Sequence, residues 1–470
     1  MNYKVYILPL LFAMSMQSCD KRLDLLPQQQ LADEIVFQNP TTAYGALIGV
    51  YSKTQNFDFY GSFPQIIGDF LGHNVNFLGT FPTIQDIQNF AAISTNANVQ
   101  SLWRQHYEVI AGANKVIDNI HTTPTLTEAQ ANQYEGEARF LRALAYFQLS
   151  NLFSHPFQVS QGTNLAVPLV LEDFVGEISF PARSSLNAVH QQIIEDLTQA
   201  VALLPTSYSS EELTRGRATR GASLALLARI YLYRDELAQS IQAARDALAI
   251  GIYQLAPNFN FYNGNSAEDI FSIQNSAIDN GRTASGGWAS YYNPAALGGR
   301  GDAVFSNELI ATFEEEPTDL RYTFRLEGIA TDGLLHQFTT KYPDAATNSD
   351  NAPVLRTTEL LLTLAEALAK SSTAINGEAL AILNEQIRQR ANLPAKSISS
   401  STELVEAILI ERRKELAFEG HHRMDLLRNS QDLRSDNSNA AFGGNRTILP
   451  IPQRDIDVNE GLSGQQNPGY

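Results

Sequence analysis

Two stretches combine aromatic rings with amides and charges in the pattern that sugar recognition requires. Residues 286–300, GGWASYYNPAALGGR, supply Trp288, Tyr291, Tyr292, Asn293 and Arg300 on a glycine-loosened loop. Residues 68–77, GDFLGHNVNF, supply Asp69, His73, Asn74, Asn76 and Phe77. A pyranose offers flat C–H faces that stack on rings, and hydroxyls that need planar amide, carboxylate or guanidinium partners. A ring that anchors a long loop is the competing reading for each aromatic, because large aromatics are mostly buried. Amphipathic rings among glycines suit a partly wet surface. Trp288, Tyr291 and Tyr292 are therefore expected to lie exposed and roughly coplanar near Asn293 or Asp69. Trp103 sits in a helical apolar stripe and reads as core.

Catalytic constellations are weak by comparison. Glu411, Glu415 and Glu419 share one helix face, a pairing that glycoside hydrolysis uses. Arg412, Arg413 and Lys414 lie among them, which reads instead as a structural helix with local ion pairs. His421 and His422 are adjacent, so they point to different sides of a helix and make no ready metal pair. The sequence contains no HExxH, nucleophile elbow or GxxxxGK. Asp455, Asp457 and Asn459 imitate a calcium loop, but Glu460 and Gln466 stand where glycine and glutamate are required. No cofactor is expected, and the reading is of a binding protein that is not an enzyme.

The elements that must position these loops are helical. In residues 217–255, Leu224, Leu227, Ala228 and Tyr231 form one helical stripe, and Ala244 and Ala247 follow beyond a polar break at 234–236. Small residues facing large ones let two helices pack closely, the logic of a tetratricopeptide-type hairpin. The spacing recurs at Leu361, Leu364, Ala365 and Leu368, followed by Ala379 and Leu383, and in degraded form at Leu141, Leu144 and Ala145. Such hairpins bury their faces only by stacking. The fold class is therefore mainly α: a helical-hairpin stack carrying long irregular ligand-binding loops and minor β. Helices are expected over 39–51, 99–121, 127–154, 184–204, 356–370, 376–391 and 402–420. Residues 55–98 show no sustained period and read as a long structured loop region with short helical turns. Residues 323–343 alternate enough for a short strand or two.

A net charge of −17 argues against nucleic acid, which needs a clustered basic surface. With 44% hydrophobic and 18% charged residues, the chain is an ordinary globular one. Cys19 is the sole cysteine, which excludes internal disulfides. It follows Lys4 and an apolar run over 5–16, about 18 Å as a helix and too short to span a membrane. Residues 1–18 thus read as an export signal. A lone cysteine directly after such a run resembles a bacterial lipoprotein signal, which makes Cys19 the expected site of lipidation, with ordinary secretion and a free thiol as the alternative. An exposed free thiol in an exported protein has little other use.

Four stretches together resemble the RagB/SusD nutrient-uptake lipoproteins of Bacteroidetes. They are EARFLRALAYFQL at 137–149, the hairpin at 218–255, ERRKELAFEGHHRMDLLR at 411–428, and LPIPQRDIDVNEGLSGQQNPGY at 449–470. LRTTELLLTLAEALAK at 355–370 fits as well. The family often has Arg-Trp or Arg-Phe where His422 and Arg423 stand. The resemblance implies residues 1–18 as signal peptide, 19–255 as an N-terminal region with tetratricopeptide-like helices, and 256–470 as the C-terminal RagB/SusD region. It also implies a lipoprotein of the cell outer membrane, lipid-anchored and surface-exposed. Such a protein captures an oligosaccharide ligand and lids a SusC-like TonB-dependent transporter. Oligopeptide capture on the same architecture is the alternative, and a pure protein-interaction scaffold ranks below it.

Overall fold

The structure is a computed structural model, and it describes residues 33–262, 264–281 and 286–470. Residues 1–18 and the lipidation expected at Cys19 lie outside the described residues.

Polar caps start most of the long helices. In α1 (Pro40–Thr54) the Asn39 side chain accepts from the Thr41 and Thr42 N–H groups, with proline at the first turn. The short α2 (Phe63–Leu71) and the three-residue strand β1 (Val75–Phe77) follow. Asn96 caps α3 (Ala97–Asn119), and Thr127 with Gln130 closes a capping box on α4 (Glu128–Phe153). Strands β2 (Leu165–Pro168) and β3 (Arg183–Ser185) pair with each other, and Ser185 caps α5 (Leu186–Leu203).

The central hairpin is α6 (Arg220–Tyr233), capped by Thr219, and α7 (Leu237–Ala249). Small residues bring them close: Ser240 is buried, and its Oγ donates to the Ala228 carbonyl at 2.8 Å. The stripe expected on α6 is wider than its spacing implies. Every residue of α6 is buried except Arg220 and Tyr231, the latter a member of that stripe. Helices α5 and α7 pack on α6, as does α8 (Thr357–Lys370), so the helix is central and not amphipathic. Helix α9 (Ser401–Glu415), capped by Ser400, packs on α8 in turn.

The β content of the described residues is four two-stranded pairs. Strand β4 (Asp269–Ile273) pairs antiparallel with β8 (Ala352–Arg356). Strands β6 (Arg325–Ile329) and β7 (Leu335–Thr339) form the hairpin expected over 323–343. Strand β5 (Ala303–Phe305) pairs with β1 in the register Val75↔Phe305, which joins the two aromatic excursions.

One expectation needs correction. Within 55–98, α2 is a true helix and every one of its residues is buried. Phe63, Ile66, Ile67, Phe70 and Leu71 do keep helical spacing, but over nine residues only, between stretches that have none. The polar Gln65 and Asp69 that mark the other face are buried as well.

The Glu411–Glu415–Glu419 face is structural, yet its partners are not the local cations expected. Six carboxylates (Glu268, Glu316, Asp319, Glu411, Glu415, Glu419) and six cations (Arg321, Lys341, Arg356, Arg388, Arg390, Lys414) form one linked cluster, so its formal charges cancel. Only Lys414 comes from the local trio. His421 and His422 lie half-buried beside the cluster. Burial, reinforced by Arg229, lowers His421 to about 4; burial, reinforced by Arg413, lowers His422 to about 3. No group of three or more potential metal-ligating side chains occurs among the described residues.

Candidate functional site

The β1–β5 pairing brings residues 69–77 and 288–300 together, as a shared site requires, but most of their side chains point inward. Asp69 is fully buried. Its Oδ2 accepts from the Tyr292 hydroxyl at 2.9 Å and the Gly420 N–H at 3.2 Å; its Oδ1 accepts from Phe418 N at 3.3 Å and Asn74 Nδ2 at 3.4 Å. Burial nevertheless pushes the carboxyl up to about 7. The close approach depends on Gly68, whose added Cβ would meet the Gly420 carbonyl oxygen at 2.3 Å.

The exposed coplanar platform expected at Trp288, Tyr291 and Tyr292 is not present. Trp288 is 1% exposed, Tyr291 3% and Tyr292 1%. Trp288 crosses Tyr292 at 83° and Tyr342 at 66°, so these rings meet edge to face. Tyr291 stacks on Phe57 with centroids 5.8 Å apart. The glycines that suggested a loose, wet loop instead permit close packing: a Cβ on Gly287 would sit 2.2 Å from Asn348 Cγ. Asn293 is buried, and its amide donates to the Ala289 and Tyr342 carbonyls. Asn74 is buried and accepts from Arg413 Nε at 2.9 Å, while buried Phe77 tilts against Phe70.

Three expected residues stay near solvent: Asn76, half-buried on β1, and His73 and Arg300. His73 is half-buried at a positive φ of 58°, with its Nε2 3.3 Å from Glu308. Burial and then Arg434 hold its imidazole below the usual value. Arg300 is half-buried, and Asp302 Oδ2 holds it at 2.7 Å from Nε and 2.5 Å from Nη2. Its guanidinium lies 4.4 Å from the Tyr291 ring centroid and 5.0 Å from that of Phe81.

Phe81 is the ring the expectation overlooked. It is 52% exposed and lies on the Arg300 guanidinium. Its helix (Pro82–Gln88) begins with proline, so Phe81 stands at the N-cap and its ring leaves the helical surface. The signal was available in Thr80-Phe81-Pro82: a ring just outside a proline start has no helical face to join. The β6–β7 turn completes the surroundings, since Thr331 N–H donates to the Gly301 carbonyl and Thr331 Oγ1 to Asp302. Leu297 on the neighbouring turn and Ile329, Leu334 and Leu335 on the hairpin are all exposed.

Stacked helical hairpins with paired excursions define the SusD type of fold. A SusD superfamily protein of Bacteroides vulgatus superposes with a TM-score of 0.81 at 27% identity, covering 92% of this chain and 99% of that one. The chain belongs to the SusD/RagB family. Residues 23–232 match a SusD-like family described as starch-binding and associating with the outer membrane, and residues 322–470 match the SusD family. It is similar to SusD-like protein P25 of Formosa agariphila, at 26% identity over 96% of this chain and 97% of that protein. A laminarin-binding SusD-like protein superposes with a TM-score of 0.72 at 25% identity, covering 92% of this chain and all of that one.

Proposed function

We propose that this protein is a non-catalytic glycan-binding lipoprotein of the cell surface, which captures oligosaccharides and delivers them to a TonB-dependent outer-membrane transporter. Lipid on Cys19 holds it at the outer membrane. The observation that carries the glycan reading is the exposed Phe81 ring, backed by Arg300 and Tyr291 and flanked by Asp302. A sugar face stacks on such a ring, while the guanidinium, held in place by the buried Asp302 carboxylate, binds its hydroxyls. Trp288, Tyr291, Tyr292, Asn293, Asp69, Asn74 and Phe77 serve this face from beneath, by fixing the excursions that carry Phe81, His73 and Arg300. The family's starch-binding description and the laminarin-binding relative support the ligand class.

A glycan array identifies the ligand, and calorimetry on the hit then reads variants. Phe81→Ala is expected to weaken binding by about 1–3 kcal/mol, as for a hot-spot ring, with little change in Tm because the ring is half in solvent. Silence on the array together with binding of an oligopeptide pool overturns the glycan assignment. Lipidation is tested separately: Cys19→Ala is expected to release the protein from the membrane fraction. Retention at wild-type levels after a salt wash refutes the anchor.

A further inference from the structure

The segment between β2 and β3 carries a strongly exposed apolar run. Phe174 is 68% exposed, Val175 87%, Ile178 72% and Phe180 47%, in the sequence DFVGEISFP over 173–181. Val458, 62% exposed, lies on the C-terminal turn that holds the segment's far end. Scattered apolar residues on a surface need no explanation, but four large ones within seven residues do.

Both ends of this strap are fixed. At its start, Asn114 Nδ2 donates to the Val170 and Glu172 carbonyls. Asp173 N–H donates to Asp118 Oδ2, and Asn119 Nδ2 donates to Asp173 Oδ2 at 3.1 Å. At its end, Asn459 Nδ2 donates to the Pro181 carbonyl at 3.0 Å. The apolar side chains are thus held outward by a pinned backbone.

The strap's root and the emergence of the N-terminal chain lie at one end of the molecule. Helix α1 runs antiparallel to α3: Lys53 Nζ donates to the Glu108 carbonyl, and Val50 lies against Gly112. The start of α1 therefore lies toward the last turn of α3, where Tyr44 packs on Tyr134 and His121 meets Glu135. That last turn is also where Asp118 and Asn119 hold the strap. Fourteen peptide steps separate Cys19 from Asp33, a reach of at most about 48 Å.

We propose that this strap inserts its apolar side chains into the headgroup–acyl boundary of the membrane to which Cys19 tethers the chain. The inference rests on the lipid-anchored reading. A tether raises the local lipid concentration, so a short apolar strap needs only marginal intrinsic affinity to lie down. Glu172, Asp173 and Glu177 flank it, and the chain carries a net charge of −17. Docking therefore favours a neutral lipid surface and weakens on anionic lipid at low salt.

The single cysteine allows a test that does not depend on biological lipidation. The full chain is coupled through the Cys19 thiol to maleimide-bearing phosphatidylethanolamine in phosphatidylcholine vesicles. A Val175→Trp variant is expected to show blue-shifted emission that brominated lipids quench several-fold more than the emission of the parent, whose two tryptophans are buried. Phe174→Ser with Ile178→Ser in the same chain is expected to abolish that quenching and leave Tm unchanged. Replacing part of the vesicle with phosphatidylglycerol is expected to reduce quenching at low salt, with recovery at high salt. Emission of the Val175→Trp variant that stays solvent-like on the tethered vesicle overturns the proposal. So does loss of transporter co-purification in the Phe174/Ile178 variant when Val175→Trp alone shows no quenching on the tethered vesicle, which assigns the strap to a protein partner. Cys19 lipidation is read independently by metabolic labelling in cells, so failure of the anchor and failure of the strap give different results.

Discussion

At the scale of single residues, burial separates the rings that hold the excursions from the exposed ring proposed to meet ligand. Trp288 makes edge-to-face contacts with Tyr292 and Tyr342 beneath the surface, so Trp288→Ala opens a cavity and is expected to cost about 3–5 kcal/mol. Chemical denaturation checks this, and the contrast with the nearly silent Phe81→Ala is the decisive reading. Titration gives a second prediction. His421 and His422 are neutral in the fold because burial depresses both, to about 4 and about 3. The unfolded chain takes up protons near pH 6.5, so their contribution is complete above that pH and is lost as pH falls toward 4. Asp69, raised to about 7, and Asp269, raised to about 6, act oppositely: their contribution is complete at low pH and lost as pH rises through those values. Burial lowers His106 and His190 likewise, to about 4 and about 3, so the fold is expected to lose stability as pH falls from 7 to 5, offset in part by the two aspartates. Replacement of one histidine, His422→Gln, is expected to make the denaturation midpoint fall less between pH 7 and pH 5 than in the parent. An unchanged slope refutes the assignment.

At the scale of elements, α9 shows how far a sequence pattern reaches. Its Glu411 and Glu415, with Glu419 beyond its end because the helix stops at Glu415 short of the expected 420, were legible as structural, but their partners were not. Arg356 sits at the end of β8 and Arg390 beyond α8, and they meet Glu415 only because the chain folds back on itself. A spacing rule covers i,i+4 neighbours and is silent on contacts across the fold. The same limit explains the excursions. The helices that cap themselves locally, such as α1 behind Asn39 and α4 behind Thr127, are written in short stretches. Whether Trp288 faces water is decided by Tyr342 and Asn348, far along the chain. The cluster also yields a prediction. Glu415→Ala leaves Arg356 and Arg390 buried with one acceptor fewer each and is expected to cost about 3–5 kcal/mol. Glu415→Gln keeps the shape and one oxygen, so it recovers part of that loss. Equal midpoints for Glu415→Ala and the parent in urea refute the cluster's structural role.

At the scale of the whole molecule, the last residues of the chain hold its first half. Arg183, on β3, is held by neutral oxygens: its guanidinium is satisfied by the Ala166, Leu165 and Gln465 carbonyls and by Asn467 Oδ1 at 2.8 Å. Burial lowers Arg183 to about 10, which still leaves it charged at neutral pH. Asn467 in turn donates to the Phe153 and Leu449 carbonyls, and Leu449 N–H donates to the Leu152 carbonyl. One buried amide thus ties the end of α4, the β2–β3 pair and the C-terminal segment together. The same segment fixes the far end of the strap through Asn459. Asn467→Ala removes the acceptor of a buried cation and the donor to two carbonyls. It is expected to destabilise by about 2–3 kcal/mol, because groups left unsatisfied in the interior cost their full desolvation. Limited proteolysis is expected to cut the variant first between β2 and β3, where the strap loses its anchor. First cleavage elsewhere, with the strap intact, shows that the tail does not hold this face.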